Sequence, residues 1–130
     1  MELLHKEITD KILRSFYTAY NQLGFGFLEK IYENAMIIEL KKAGLSCVKQ
    51  QSVRVHYEGT VVGDYFADII VENCIILELK AAEGIAEEHE IQITNYLKAT
   101  DKEIGLLLNF GKRPQFKRKI FTNDKKRICS

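Results

Sequence analysis

The chain has 130 residues, of which 46% are hydrophobic and 28% charged, and its formal net charge is +1. A chain of this length forms one domain that buries roughly two-thirds of its unfolded surface. It lacks an apolar run of the ~18 residues that a membrane span needs, it lacks a signal-peptide pattern, and its three cysteines are too far apart for a disulfide framework or a zinc site. We therefore expect one cytoplasmic domain over residues 1–130, with no membrane partner.

The charge is unevenly distributed along the chain. Residues 1–110 carry a net charge of −6, and residues 111–130 carry a net charge of +7. A basic C-terminal segment with interleaved aromatic residues is typical of a surface that holds a nucleic-acid backbone. A solvated, frayed chain end is the alternative interpretation.

Two helices are predicted in the first third of the chain. A first helix is predicted over about Glu2–Leu23, where apolar residues recur at three- and four-residue spacing, and it suits packing rather than chemistry. Its apolar stripe consists of Ile8, Ile12, Phe16, Ala19 and Leu23. Gly24-Phe25-Gly26 ends it, and a second helix is predicted from about Leu28 to Ala43. The core stripe of the second helix is expected to consist of Leu28, Ile31, Ala35 and Ile38.

Strands are predicted in the middle of the chain. Alternation of apolar and polar residues predicts a half-buried strand over Lys49–Tyr57, and Glu58-Gly59 turns the chain into Thr60–Val62. Two β-rich runs, Tyr65–Val71 and Cys74–Leu79, then form a hairpin. Both runs are apolar enough to be central strands of a sheet.

The hairpin carries three charged residues, Asp68, Glu78 and Lys80, where charge is costly unless it is paired or metal-bound. Glu78 and Lys80 share a face because they are two apart on one strand. A two-residue turn would point Asp68 away from Glu78, whereas a three-residue loop, Glu72-Asn73-Cys74, places the two opposite each other. We predict the three-residue loop, because Asn73 tolerates the left-handed conformation that it needs.

Two carboxylates and a lysine on one sheet face form an arrangement that can cleave phosphodiesters. Oxygen ligands of this kind suit Mg²⁺ or Mn²⁺, which keep several waters and leave room for a phosphate oxygen. The cation would polarise the phosphate, and the lysine would steady the attacking water or the developing negative charge. From the residues alone, an ordinary ion-pair ladder on a solvated sheet face explains the pattern equally well.

A third helix and further strands complete the predicted fold. The helix spans about Ile85–Ala99, and Ile104–Phe110 is typical of an interior strand that pairs in parallel after a crossover helix. Phe116–Phe121 is predicted as a final edge strand. The order ααβββαβ, followed by this edge strand, predicts an α/β fold with helices on both sides of a mixed sheet.

Several of these residues also form recognisable motifs. Asp68 followed by Glu78-Leu79-Lys80 resembles the signature of the PD-(D/E)xK nuclease superfamily, with Ala67 where the signature has Pro. Gly26-Phe27-Leu28-Glu29-Lys30-Ile31-Tyr32 is similar to the GxxExxY motif that names one family within it. The resemblance continues in order through Glu39-Leu40, Gly44, Gln51, Gln92 to Tyr96, and Leu108-Asn109-Phe110-Gly111. It therefore covers nearly the whole chain.

The resemblance implies a restriction-endonuclease-like fold and a Mg²⁺- or Mn²⁺-dependent nuclease that hydrolyses nucleic-acid phosphodiester bonds. It implies that Asp68 and Glu78 bind the metal, and that Lys80 assists the water or the phosphate. Glu29 would complete the metal shell from the second helix, with Tyr32 packing behind it or bonding a site group. A favourable interaction with the helix dipole is the alternative explanation for Glu29.

Other polar residues are also candidates for the site. Gln92 and Tyr96 match a QxxxY pattern of several such nucleases, and we favour a supporting role for Gln92 over a merely lateral position. His89 lies on the same helical stripe and is a weaker candidate. Asp64 precedes Asp68 by four residues, so in a regular strand both side chains point to the same face. Asp64 is therefore a rival ligand, although solvent exposure is the better expectation for it.

The implied partner is nucleic acid, with DNA favoured over RNA. Nucleases of this size often pair to span a duplex, so a homodimer is a further expectation. A nucleic-acid or protein binding module with little turnover is the alternative function. Because Glu29, Asp68 and Glu78 would repel one another, at least one of them should have a raised pKa in the absence of a cation.

Overall fold

The structure is a computed structural model, and it describes residues 4–127. A mixed five-stranded sheet organises this part of the chain. The strands are β1 (Cys47–Tyr57), β2 (Thr60–Val71), β3 (Ile75–Lys80), β4 (Ile104–Phe110) and β5 (Pro114–Ile120), and they lie in that order across the sheet. β3 and β4 are parallel, and the other neighbouring strands are antiparallel. The predicted final edge strand is therefore present, shifted towards Pro114.

Three helices cover the two faces of this sheet. They are α1 (Lys6–Leu23), α2 (Glu29–Lys42) and α3 (Glu87–Lys98), and a short 3₁₀ turn follows at Asn123–Lys125. α1 and α2 pack on one face, and α3, which connects the parallel strands, packs on the other. The predicted α/β fold is confirmed, whereas the predicted helical residues before Leu4 lie outside the described residues.

α1 buries the predicted stripe, but α2 does not. Ile12, Phe16 and Ala19 of α1 are buried, as expected. On α2, the residues predicted for the core are largely exposed, with exposed fractions of 78%, 41% and 59% for Leu28, Ile31 and Ile38. The buried residues of this helix are Tyr32, Glu33, Met36 and Leu40.

Stacking of Tyr32 explains why α2 buries a different face. Its ring lies almost parallel to that of Phe110 on β4, with 4.1 Å between the ring centroids. A buried aromatic ring removes more apolar surface from water than an aliphatic side chain does, so this contact favours the face that carries Tyr32. The predicted core stripe of α2 is therefore wrong.

The hairpin between β2 and β3 has the predicted three-residue loop. Val71 pairs with Ile75, which leaves Glu72-Asn73-Cys74 as the loop. Glu72 and Asn73 both have left-handed backbones, with φ of 51° and 54°. This loop sets the register that brings Asp68 towards Glu78.

Two further expectations concern membranes and cysteines. In residues 4–127, no helix is both long enough and apolar enough to cross a membrane. Cys47 and Cys74 are free thiols, and Cys129 lies outside the described residues.

Candidate active site

The candidate site begins where β2 and β3 separate. The last regular pair of this ladder is Ile69 with Leu77, so Asp68 and Glu78 come next on their strands. The backbone N–H of Asp68 donates to Glu78 Oε2, and the N–H of Leu79 donates to Asp68 Oδ2, both at 2.8 Å. The two carboxylates thus satisfy backbone donors that the separating strands no longer pair with each other. The predicted convergence of Asp68 and Glu78 is present.

A chain of hydrogen bonds from α3 holds Lys80. Lys80 Nζ donates to Gln92 Oε1 at 3.2 Å, and Gln92 Nε2 donates to the hydroxyl of Tyr96 at 2.9 Å. Both the oxygen and the nitrogen of the Gln92 side-chain amide are therefore hydrogen-bonded. The structure brings Lys80, Gln92 and Tyr96 together beside the two carboxylates.

Glu29 approaches the site from the first turn of α2. Its Oε2 accepts a hydrogen bond from the backbone N–H of Ala81, at 3.3 Å. This N–H directly follows Lys80, so Glu29 connects α2 to the end of β3. The side chain is exposed on its other side.

Tyr32 supports Glu29 indirectly. Its hydroxyl donates to the carbonyl oxygen of Gly24 at 2.7 Å and accepts from the N–H of Phe27 at 3.2 Å. These bonds fix the segment that leads into α2, and therefore the position of Glu29. The partners of the hydroxyl are backbone groups that precede α2, and packing of Tyr32 behind Glu29 stays a prediction.

The end of β4 positions the segment that follows Lys80. Asn109 lies within this strand and Gly111 directly follows it, and sequence reasoning included both in a motif without assigning a role to either. Asn109 is fully buried, and its amide bonds both the N–H and the carbonyl oxygen of Ala82, at 2.9 and 3.0 Å. A Cβ on Gly111 would overlap that carbonyl oxygen. A polar residue at the end of an otherwise apolar strand was the available signal for Asn109.

Burial dominates the electrostatics of the carboxylate pair. Burial raises the pKa of Glu78 to about 8, and the charge of Asp68 adds to this effect. Burial also raises the pKa of Asp68, whereas the hydrogen bond from Leu79 and the charge of Lys80 oppose that rise. The expected raised pKa is therefore confirmed, with loss of hydration as a larger cause than repulsion.

The charges of the carboxylate pair also affect the pKa of Tyr96. Burial raises the pKa of Tyr96 to about 12, and the nearby charge of Glu78 raises it further. The phenol therefore stays protonated at neutral pH. The protonated hydroxyl accepts a hydrogen bond from Gln92, and it can therefore hold Gln92, and through it Lys80, in place.

Glu33 is an acidic residue near the site that sequence reasoning left without a role. It is buried on α2, and its charge contributes to the raised pKa of Asp68, after burial as the main cause. Glu29 and Glu33 are four residues apart and so lie on the same side of a helix. That spacing was the signal that could have identified Glu33.

The weaker candidates lie elsewhere. His89 Nδ1 accepts from the backbone N–H of Ala86 at 3.0 Å, which satisfies a donor at the start of α3. Asp64 is exposed and lies 3.7 Å from Arg54. Solvent exposure of Asp64 is therefore confirmed.

Part of the basic C-terminal segment is used within the molecule. Lys117 and Lys119 both pair with Glu90, at 3.1 and 2.6 Å. Lys126 donates to the backbone carbonyl oxygens of residues 100 and 102, at 2.8 and 2.6 Å. Lys112 and Arg113 are exposed and remain candidates for contact with a nucleic-acid backbone.

The Asp68–Glu78 pair suits a hydrated Mg²⁺ or Mn²⁺. A backbone N–H takes one oxygen of each carboxylate, which leaves the second oxygen of each for a cation. Mg²⁺ is commonly held by one or two carboxylates and keeps several waters. Within residues 4–127, no three His, Cys, Asp or Glu side chains are close enough together to hold a metal ion. The donor set therefore fits a two-carboxylate site with water as the remaining ligands.

Comparisons with known proteins identify a family and a similar fold. A family model described as the PD-(D/E)XK nuclease superfamily matches residues 6–120. The crystal structure of a protein designated SSO0001 is similar, with a TM-score of 0.57 and 20% identity over 72% of this chain and 50% of that chain. This chain thus spans about half the length of that protein, and the likeness supports the fold alone. No protein of curated function matches the sequence.

Proposed function

Because the chain belongs to the PD-(D/E)XK nuclease superfamily, we propose that it is a nuclease that hydrolyses nucleic-acid phosphodiester bonds with Mg²⁺ or Mn²⁺. Its restriction-endonuclease-like fold supports the proposal. The observation that carries it is the meeting of Asp68 and Glu78 at the separation of β2 and β3, with Lys80 beside them. Two carboxylates and a fixed ammonium are the groups that such a reaction requires.

Each side chain has a role in this proposal. Asp68 and Glu78 would hold the cation through the oxygens that the backbone leaves free, and Glu29 would contact its water shell from α2. A cation held there would supply positive charge next to the phosphate and would favour ionisation of a nearby water. Lys80, held by Gln92, orients the attacking water or stabilises the negative charge that develops on the phosphate. Gln92 and its partner Tyr96 position Lys80.

Finer features belong to the same proposal. Assignment to the GxxExxY family is supported by Tyr32, whose hydroxyl fixes the segment that contains Gly26, and by Glu29, which reaches the end of β3. We further predict DNA rather than RNA as the substrate, one functional domain over residues 1–130, a homodimer and a cytoplasmic location. Sizing by light scattering tests the homodimer.

Incubation with labelled nucleic acids in Mn²⁺ tests the proposal. The substrates are single-stranded, duplex and branched DNA and single-stranded RNA. We expect cleavage by the wild type, a loss of about 10²-fold or more in Lys80→Ala, and unchanged cleavage in Lys41→Ala, which removes an exposed lysine at the end of α2. Salt-sensitive binding without cleavage would support the binding module, and absence of both would contradict either function.

A further inference from the structure

Glu33 has an incompletely satisfied carboxylate inside the molecule. The residue is 5% exposed, and its Oε2 accepts from Gln50 Nε2 at 3.0 Å. Its Oε1 is buried and has no hydrogen-bond partner among the described residues. A buried acceptor without a partner destabilises the folded state, and more so when it is charged. Such an atom needs an explanation.

Nearby lysines do not supply that explanation. The ammonium groups of Lys30 and Lys49 lie 3.7 and 3.9 Å from Glu33 Oε1, which is beyond hydrogen-bonding distance. Both lysines are exposed, so water screens their charges. The negative charge of Glu33 is therefore only partly compensated by the protein.

Gln50, which holds Glu33, lies beside Asp68. Its neighbours in β1, Lys49 and Gln51, pair with Ile69 and Ala67, the residues on either side of Asp68. Gln50 has φ of 52°, a left-handed backbone that is uncommon for a residue other than glycine. The regular strand is thus interrupted at the level of the candidate site, and at this point the side chain of Gln50 reaches α2.

The charge of Glu33 acts on Asp68, one member of the carboxylate pair. Burial raises the pKa of Asp68 most, and among the neighbouring acids Glu33 raises it more than Glu29 does. Glu33 is therefore close enough for its charge to act on Asp68, and a positive charge between the two would be attracted by both residues.

We propose that Glu33, oriented by Gln50, is an additional acidic positioning residue of this site and attracts a hydrated divalent cation held by Asp68 and Glu78. Contact through water suits the structure, because no three acidic side chains within residues 4–127 are close enough to share an ion directly. Mg²⁺ and Mn²⁺ sites retain waters that can bridge to such a residue. The inference rests on the proposed function, and it adds Glu33 to the residues of the proposed site.

Titration calorimetry of the full chain with MnCl₂ tests the inference without measuring activity. Glu33→Gln keeps the shape of the side chain but removes the charge, and we expect a Kd for Mn²⁺ that is about 10- to 100-fold weaker. Glu39→Gln is the matched control, since Glu39 lies on the same helix about 9 Å further along its axis and pairs with Lys42. The control should bind as the wild type does.

A second variant keeps the inference testable if Glu33→Gln does not fold. Gln50→Ala leaves the charge of Glu33 in place but removes the hydrogen bond that orients it, so Mn²⁺ should bind several-fold more weakly. Wild-type affinity in the folded variants would overturn the role of Glu33 while leaving the proposed nuclease intact. Failure of the wild type itself to bind Mn²⁺ would contradict both.

Discussion

Asp68 and Glu78 are joined through the backbone: the N–H of Asp68 donates to Glu78 Oε2 at 2.8 Å, and the N–H that follows Glu78 donates to Asp68 Oδ2 at the same distance. Both carboxylates are therefore oriented before any cation binds. Preorganised ligands lose less conformational entropy on binding than mobile ones. The separation of the two strands thus creates the site and fixes its geometry.

The first prediction concerns stabilisation by a cation. Mn²⁺ should raise the Tm of the wild type, because a ligand that binds only the folded state stabilises it, by about 2.7 kcal/mol at a concentration of 100 times Kd. Asp68→Asn removes one ligand charge and should reduce the rise. Asp64→Asn, in an exposed acid paired with Arg54, should keep it. Thermal denaturation with and without MnCl₂ measures both, and equal rises in the two variants would contradict a metal role for Asp68.

The second prediction concerns pH without a divalent cation. The pKa of Glu78 rises on folding to about 8, chiefly through burial, so between its unfolded value and about 8 the folded protein binds more protons than the unfolded chain. Stability should therefore fall as pH increases from about 5 to about 8.

Urea denaturation in EDTA across this range measures the effect. Glu78→Gln remains neutral at every pH and should remove most of the decline. A wild type whose stability is independent of pH, or a variant with an unchanged slope, would contradict the raised pKa of Glu78.

The third prediction concerns the support of Lys80. Gln92→Met removes the bonds to Lys80 and Tyr96, so the ammonium is no longer held and kcat should fall about 10- to 100-fold. KM should change less, because the substituted side chain is not proposed to bind substrate. Gln22→Met, in an exposed glutamine of α1, should be neutral. Steady-state cleavage assays distinguish the two, and wild-type kcat in Gln92→Met would show that Lys80 needs no support.

The fourth prediction concerns the contact between Gly111 and Ala82. Gly111→Ala places a methyl group against a backbone carbonyl oxygen that cannot rotate away, so the free energy of unfolding should fall by about 1–3 kcal/mol. Gly84→Ala is the matched control, because a Cβ there meets only the end of the Gln115 side chain, at 3.8 Å. Urea denaturation should show a loss in the first variant and little change in the second. Equal stabilities would mean that the segment after β3 moves freely.

The sequence by itself determined the elements and the centre of the site. Hydrophobic periodicity depends on residues close in the chain, and it predicted the helices and the strands. Side chains alternate between the two faces of a strand, and the three-residue loop accepts left-handed residues. Together these features predicted that Asp68 would face Glu78. Helical spacing likewise placed Gln92 and Tyr96 together.

Only the tertiary structure decided the contacts between distant segments. Two faces of α2 carry apolar residues, and the stacking of Tyr32 on Phe110 selected the one that also buries Glu33. The hydrogen bonds between Asn109 and Ala82 likewise depend on the order of the strands in the sheet. Periodicity describes how a segment presents its own side chains, but the burial of a particular carboxylate depends on the surface that packs against it.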